Sequence, residues 1–248
     1  MARGWSNSSS LADFLHPKVS NIRPAESLLN MKVAVDRLVQ AYRNNERICL
    51  YTDFDLDGSG GLALLKLGME GLGYKNLISY QPRRLTEGYG FHAHAVDIVA
   101  SQGASLIVTV DVGITAISAV RKARELGLDV IITDHHLPGE ELPQALAVIN
   151  PNQPGDNSGL GYLSGAGVAF YLLRALKRAL QNAGLARQDF DLREVLEFFT
   201  ISTLTDMVPL IGDNRALVRA GLKCLEGTRK PGLRALLETL NLSGRPLT

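Results

Sequence analysis

Cysteine is scarce in this 248-residue chain. Its two cysteines, Cys49 and Cys224, sit inside apolar stretches with no CxxC spacing, which argues against a disulfide framework or a thiolate zinc site and for buried, reduced thiols. Long apolar runs are missing as well. No stretch reaches the roughly 18 consecutive apolar residues of a spanning helix, and the opening residues lack the apolar segment of a secretory signal. A soluble, cytoplasmic protein with no membrane partner is the expectation. Neither sign of charge is in excess: 26 basic residues face 25 acidic ones, net +1, so the chain has no overall positive field of the kind that coats nucleic acid nonspecifically. A polyanion would have to be held locally, by a basic groove or by bound metal ions. Aromatic residues make up 6%, and most fall in apolar segments destined for a core, leaving few for base stacking. No internal repeat or low-complexity tract is present.

What is there is apolar, at 46% of residues, enough for a substantial core in one large α/β domain or two small ones. Residues 1–30 read as an irregular N-terminal segment with Pro17 and Pro24, followed by a helix over 31–42 from the spacing of Val35, Leu38, Val39 and Tyr42. Five short apolar runs then predict strands at 48–51, 77–80, 106–110, 130–133 and 146–149. Helices are predicted after Gly61, around Ala95–Val99 and over 114–126. Strands that are apolar throughout and alternate with helices indicate a parallel sheet of about five strands covered by helices on both faces. The α/β part takes up about 31–155. From about 156 to 248 the chain reads as mainly helical, with helices predicted over 167–180, 192–204, 216–225 and 232–240. The loop 152–162, rich in Gly, Asn and Pro, is expected to be a flexible flap.

In parallel α/β sheets, ligands bind beyond the carboxyl ends of the strands. That rim is acidic here: Asp53, Asp55 and Asp57 follow the first strand, Asp111 the third, and Asp134, His135 and His136 the fourth. Carboxylates crowded together raise one another's pKa unless cations neutralise them, and mixed carboxylate and imidazole ligands suit Mn²⁺ or Mg²⁺. A bridging aspartate between two such ions gives the arrangement used for phosphoryl transfer. The first cluster also matches the opening of a calcium-binding EF-hand loop, but position twelve of that loop would be Leu64 rather than a glutamate, and the cluster follows a strand. A capping or turn role explains one of these aspartates and not three at alternate positions. His92 and His94 begin a helix without acidic sequence neighbours and are expected to be exposed or capping; His16 receives no role.

These residues resemble a known family. Tyr51-Thr-Asp-Phe-Asp-Leu-Asp-Gly58, Val108-Thr-Val-Asp111-Val-Gly-Ile114, Asp134-His135-His136 and Thr203-Leu-Thr-Asp206-Met-Val-Pro209 resemble, in order and spacing, the four motifs of DHH phosphoesterases. Arg84-Leu-Thr-Glu87-Gly-Tyr-Gly90, Ala147-Val-Ile-Asn150-Pro-Asn-Gln153 and Gly165-Ala-Gly-Val-Ala-Phe170 resemble the RecJ branch, the single-strand DNA exonucleases. The resemblance implies two ions, Mn²⁺ or Mg²⁺, with Asp55 and Asp57 each holding one, Asp111 bridging, His135 and Asp206 completing the second site, and Asp53 in or behind the ligand set. It implies that His136 touches the substrate phosphate, a role open to a group of near-neutral pKa, and that Asp134 belongs to the catalytic triplet. Arg83, Arg84 and Arg215 are candidates for phosphate contact. Apart from the resemblance, Asp206 would read as an isolated acid in a helix.

The implied reaction is 5′-to-3′ degradation of single-stranded DNA, with single-strand binding protein and repair helicases as partners of a monomer. Two alternatives stand beside it: a DHH enzyme for short oligonucleotides, cyclic dinucleotides or pyrophosphate, and a DHH-fold scaffold that binds without cutting. The chain departs from the family pattern in three places. Tyr51 stands where many members have histidine, Ser59-Gly60-Gly61 replaces a small hydroxylated pair and is expected to loosen the helix start, and the family's second, substrate-binding domain is expected to be absent.

Overall fold

The strands are short and mostly apolar, and three of the five are buried from end to end, as in a sheet sandwiched between helices. A computed structural model describes residues 14–185 and 190–247. Within them β1 (Ile48–Thr52), β2 (Leu77–Tyr80), β3 (Leu106–Val110), β4 (Asp129–Thr133) and β5 (Ala147–Ile149) form one sheet in the order β2-β1-β3-β4-β5, parallel throughout. The strand order reverses between β1 and β3, the crevice where such sheets take ligands. Expected and observed strands agree to within a residue at either end.

Eight α-helices are described: α1 (Met31–Arg43), α2 (Leu56–Leu72), α3 (Ala93–Ser101), α4 (Ile117–Glu125), α5 (Gly165–Asn182), α6 (Leu196–Thr205), α7 (Gly212–Glu226) and α8 (Pro231–Thr239). One sheet face, through Ile48, Leu50, Val108 and Ile131, shares a core with α1, α2 and the later helices α5 to α7. The other, through Cys49, Tyr51, Ile107 and Ile132, packs on α3 and α4. The helical C-terminal part is therefore built onto the α1–α2 face, and α2 packs directly on both α5 and α6. Both cysteines are free thiols; Cys49 is buried and Cys224 half-buried. No helix among the described residues is long and apolar enough to cross a membrane.

Besides shifts of up to four residues at the starts of later helices, the structure departs from the sequence reading in three segments. Helix α2 starts at Leu56, five residues ahead of Gly61, because Asp55 caps it by accepting a hydrogen bond from Gly58 N–H. The expected flap 152–162 is tied down: Asn152 Nδ2 donates to His135 O, Gln153 Nε2 to Val148 O, and Asp156 accepts from Leu29 N–H, while Leu160 is buried. The irregular N-terminal segment, where described, holds two 3₁₀ turns and buries Ala25 and Leu28 in the core; residues 1–13 of that expectation lie outside the described residues.

Candidate metal centre

Three strands deliver acids to one level because the ladder carries one rung past the end of each. Asp53 N–H donates to Val110 O at 3.3 Å, Asp111 N–H to Thr133 O at 3.0 Å and Asp134 N–H to Ile149 O at 3.1 Å. Asp111 then turns with φ 61°, left-handed backbone that Asp and Asn tolerate better than most residues and that is often found where function holds the chain. From the helical layer, Asp206 arrives as the C-cap of α6. Asp57, in the first turn of α2, points its carboxylate at the start of α5, accepting from Gly165 N–H at 2.6 Å and Ala166 N–H at 3.1 Å. A helix N-terminus is a natural seat for an anion.

These side chains converge. His135 Nε2 lies 3.2 Å from Asp111 Oδ1, 3.7 Å from Asp206 Oδ2 and 3.9 Å from Asp57 Oδ2. Three sets of potential ligand atoms each fit within 4.8 Å: Asp53, Asp55 and Asp111; Asp57, His135 and Asp206; and Asp111, His135 and His136. Asp53 Oδ1, Asp111 Oδ1, His135 Nε2 and Asp206 Oδ2 are all buried and have no hydrogen-bond partner among the described residues. Buried polar atoms are normally paired, so four orphans aimed into one space match a centre built for cations. Burial is the leading cause that raises the carboxyls of Asp53, Asp57, Asp111 and Asp206, and neighbouring carboxylates add to it. Asp111 is pushed furthest, to about 10, by burial and then by Asp57, Asp55 and Asp134.

Asp134 behaves differently. Burial alone would raise its carboxyl, but hydrogen bonds and charge from its surroundings, above all from His136, hold it below the ordinary value. It accepts from His136 Nδ1 at 2.7 Å, from His135 N–H at 2.7 Å and from Ile114 N–H at 2.9 Å, so its lone pairs are already engaged. The same bond to Asp134 is the main reason His136 is raised, against the effect of its own burial.

Small residues make the convergence sterically feasible. A Cβ on Gly165 would lie 2.4 Å from the Asp111 side chain, one on Gly61 would meet Val110 at 2.5 Å, and one on Gly60 would run into Ser202 of α6. Gly60 and Gly61, expected to loosen the start of α2, instead let it approach α5 and α6 closely enough to bring Asp57 and Asp206 together.

Of the arginines, Arg84 is brought to this rim, its guanidinium 5.1 Å over the ring of Phe54, between Asp53 and Asp55 in the chain. Arg83 is exposed on the same loop, and only its backbone is tied, through Arg83 N–H to Glu87. Arg215 is not brought in: it stacks over Phe14 and donates from Nε to Phe14 O. Two aromatics escaped the sequence reading. Tyr89, half exposed, sets its ring centroid 5.9 Å from that of His136, with its hydroxyl 3.5 Å from His136 Nδ1, and packs edge-on against Phe54. Their only sequence signal was an aromatic in an otherwise polar loop. His94, expected to lack acidic neighbours, lies 2.9 Å from Glu87, and His92 occupies the N-cap position of α3 without a side-chain cap bond.

A strand-order switch point lined with clustered carboxylates and a histidine pair is the frame of one phosphoesterase class, and residues 47–200 match the family model "DHH family, N-terminal domain". The chain belongs to the DHH family. Within it the chain is 40% identical, over 95% of its length, to the single-stranded-DNA-specific exonuclease RecJ of Escherichia coli, covering 42% of that protein, and 38% identical, over 95%, to RecJ of Bacillus subtilis, covering 28%. Among solved structures it resembles an exonuclease RecJ bound to manganese, with 36% identity, a TM-score of 0.76, and 88% of this chain and 54% of that one covered. It also resembles RecJ of Thermus thermophilus in complex with Mn²⁺, with 33% identity, a TM-score of 0.75, and 94% and 32% covered. The chain thus spans less than half the length of these curated relatives.

Proposed function

We propose that this chain is the catalytic core of a divalent-metal-dependent exonuclease that hydrolyses single-stranded DNA from its 5′ end. The observation that carries the reading is the pair of adjoining ligand sets, Asp53–Asp55–Asp111 and Asp57–His135–Asp206, linked by the 3.2 Å approach of His135 to Asp111 and holding four unpartnered buried atoms. When bound, two ions, Mn²⁺ or Mg²⁺, would supply the positive charge that offsets the phosphoryl oxygens and the Lewis acidity there.

The protein's own groups do the rest. Asp111, a member of the first set that lies 3.2 Å from His135 of the second, would serve as the shared ligand. Asp134 accepts from His136 Nδ1 and favours the protonated ring, which leaves Nε2–H free to donate to a phosphate oxygen or to the departing sugar oxygen. Asp134 thereby contributes by positioning. Arg84, seated over Phe54, and the half-exposed ring of Tyr89 line the approach, a cation for the backbone and flat apolar surface for a base. An unstacked single strand offers those base faces and a duplex does not. The relatives' names support single-stranded DNA as the substrate; the polarity, a cytoplasmic monomer, and partners such as single-strand binding protein and repair helicases rest on the family resemblance alone.

The test is an assay on 5′- and 3′-labelled single strands and on a duplex, with Mn²⁺ or with chelator. Mononucleotide release from the 5′ end of single strands, in Mn²⁺ alone, is expected. Cleavage confined to dinucleotide or pyrophosphate substrates would transfer the site to a small-substrate enzyme.

A further inference from the structure

The 81–90 loop carries Arg84 and Tyr89 to the rim, and it contains no helix or strand of its own. A loop of that kind costs conformational entropy whenever it must be ordered for binding. Here both of its ends are gathered onto one carboxylate. Glu87 Oε1 accepts from the hydroxyl of Tyr80, the last residue of β2, and lies 2.9 Å from His94 Nε2 in the first turn of α3; Oε2 accepts from Arg83 N–H at 2.7 Å. These contacts, led by Tyr80, hold the Glu87 carboxyl down at about 2, so it is charged under any working condition. Tyr80 is itself fixed by stacking on Tyr51 at 5.4 Å. Tyr51, whose place many family members fill with histidine, donates its hydroxyl to Gly90 O at 2.8 Å, and Gln81 Nε2 donates to Asp53 O. An ordinary loop glutamate points to water; this one binds three donors from a strand, a loop and a helix, with its side chain 17% exposed.

We propose that Glu87 is a positioning residue for the hydrolysis: it latches the 81–90 loop so that Tyr89 rests against His136 and Arg84 rests over Phe54. Among the described residues the Glu87 carboxylate itself bonds to Tyr80, Arg83 and His94 and to none of the ligand cluster, and it acts on the strand through these two side chains. The proposal rests on the single-strand reading above.

The experiment compares the parent with Glu87→Ala and Glu87→Gln, each also made in an Arg84→Ala/Tyr89→Ala background. KM and kcat on a single-stranded oligonucleotide, Mn²⁺ affinity by calorimetry and amide exchange across 81–90 are measured for each. In the parent background Glu87→Ala should lower kcat/KM roughly ten- to a hundredfold, mostly through KM, as expected when binding groups are displaced by an ångström or so. Mn²⁺ affinity should stay unchanged, and the Arg83 amide should lose protection. Glu87→Gln should recover most of the loss, since its amide oxygen still accepts from Arg83 or Tyr80. In the doubly substituted background Glu87→Ala should shift KM by less than about threefold, because groups that act as one unit are not additive.

Equal KM shifts in both backgrounds, or a Glu87→Ala protein with unchanged KM, would overturn the proposal. So would a loss of Mn²⁺ affinity, which would mean a general collapse of the rim. A parent that cuts no single strand refutes the functional reading instead. The latch is then judged on exchange alone: faster exchange across 81–90 in Glu87→Ala upholds it, and unchanged exchange overturns it.

Discussion

Asp111→Asn is expected to stabilise the ion-free protein while making it indifferent to Mn²⁺. Asparagine is the informative replacement because it tolerates the φ of 61° at this position, where alanine would add strain of its own. The Asp111 carboxyl is buried and faces Asp57, Asp55 and Asp134, and together these raise it from 3.8 to about 10. A folded value above the unfolded one means that its contribution to stability is fully present below 3.8 and is lost as pH rises from there towards about 10. At pH 7, without ions, the folded chain keeps a proton that the unfolded chain would release. Over roughly 3 units at about 1.4 kcal/mol each, this costs on the order of 4 kcal/mol. Asparagine removes that cost. Its melting temperature in chelator at pH 7 should exceed the parent's by several degrees, with a ceiling of roughly 8–16 °C for a chain of this size, and the two should converge near pH 4. With Mn²⁺ at a hundredfold excess over Kd the parent should gain about 2.7 kcal/mol and Asp111→Asn far less. The assay is thermal unfolding from pH 4 to 9 in chelator and in Mn²⁺. An Asp111→Asn protein no more stable than the parent at pH 8 in chelator, or one whose advantage does not grow with pH, would refute the reasoning.

Two further outcomes follow from the same geometry. Asp111→Ala should abolish cleavage more completely than His136→Ala, because a shared ligand serves both halves of the cluster while loss of one donor costs about 10²–10³ in rate; equal losses in steady-state assays would contradict this. Gly165→Ala would place a Cβ 2.4 Å from the Asp111 side chain, so Mn²⁺ affinity measured by calorimetry should fall at least about tenfold with helix content retained, and an unchanged affinity would show that the rim yields freely.

The strands were legible because burial on both faces makes the inner ones short, mostly apolar runs, and the acids that follow β1, β3 and β4 are lifted to the same rim by the next rung of the ladder. That placed Asp53, Asp111 and Asp134 from the residues alone. Asp206 was legible only through family resemblance, since its arrival depends on the packing of α6 against α2, which periodicity does not report. The early start of α2 was hidden because Gly58, Gly60 and Gly61 read as loop until their close packing is seen. Composition misjudged the 152–162 segment for a related reason. Gly, Asn and Pro signal a turn-rich chain, yet Asn152, Gln153 and Asp156 use their side chains to bind backbone groups outside the segment, those of His135, Val148 and Leu29. Tyr89 beside His136, Arg215 on Phe14, and Glu87 between Tyr80 and His94 are pairings made in space, and a single sequence carries no mark of them.

The central claim is that this rim holds two divalent ions with Asp111 common to both. Anomalous scattering from crystals of the chain soaked in Mn²⁺ tests it most directly. Two peaks are predicted, one against Asp53 and Asp55, the other against Asp57, His135 and Asp206, and both within bonding distance of Asp111. A single peak at saturating Mn²⁺, or two peaks of which only one reaches Asp111, would contradict it.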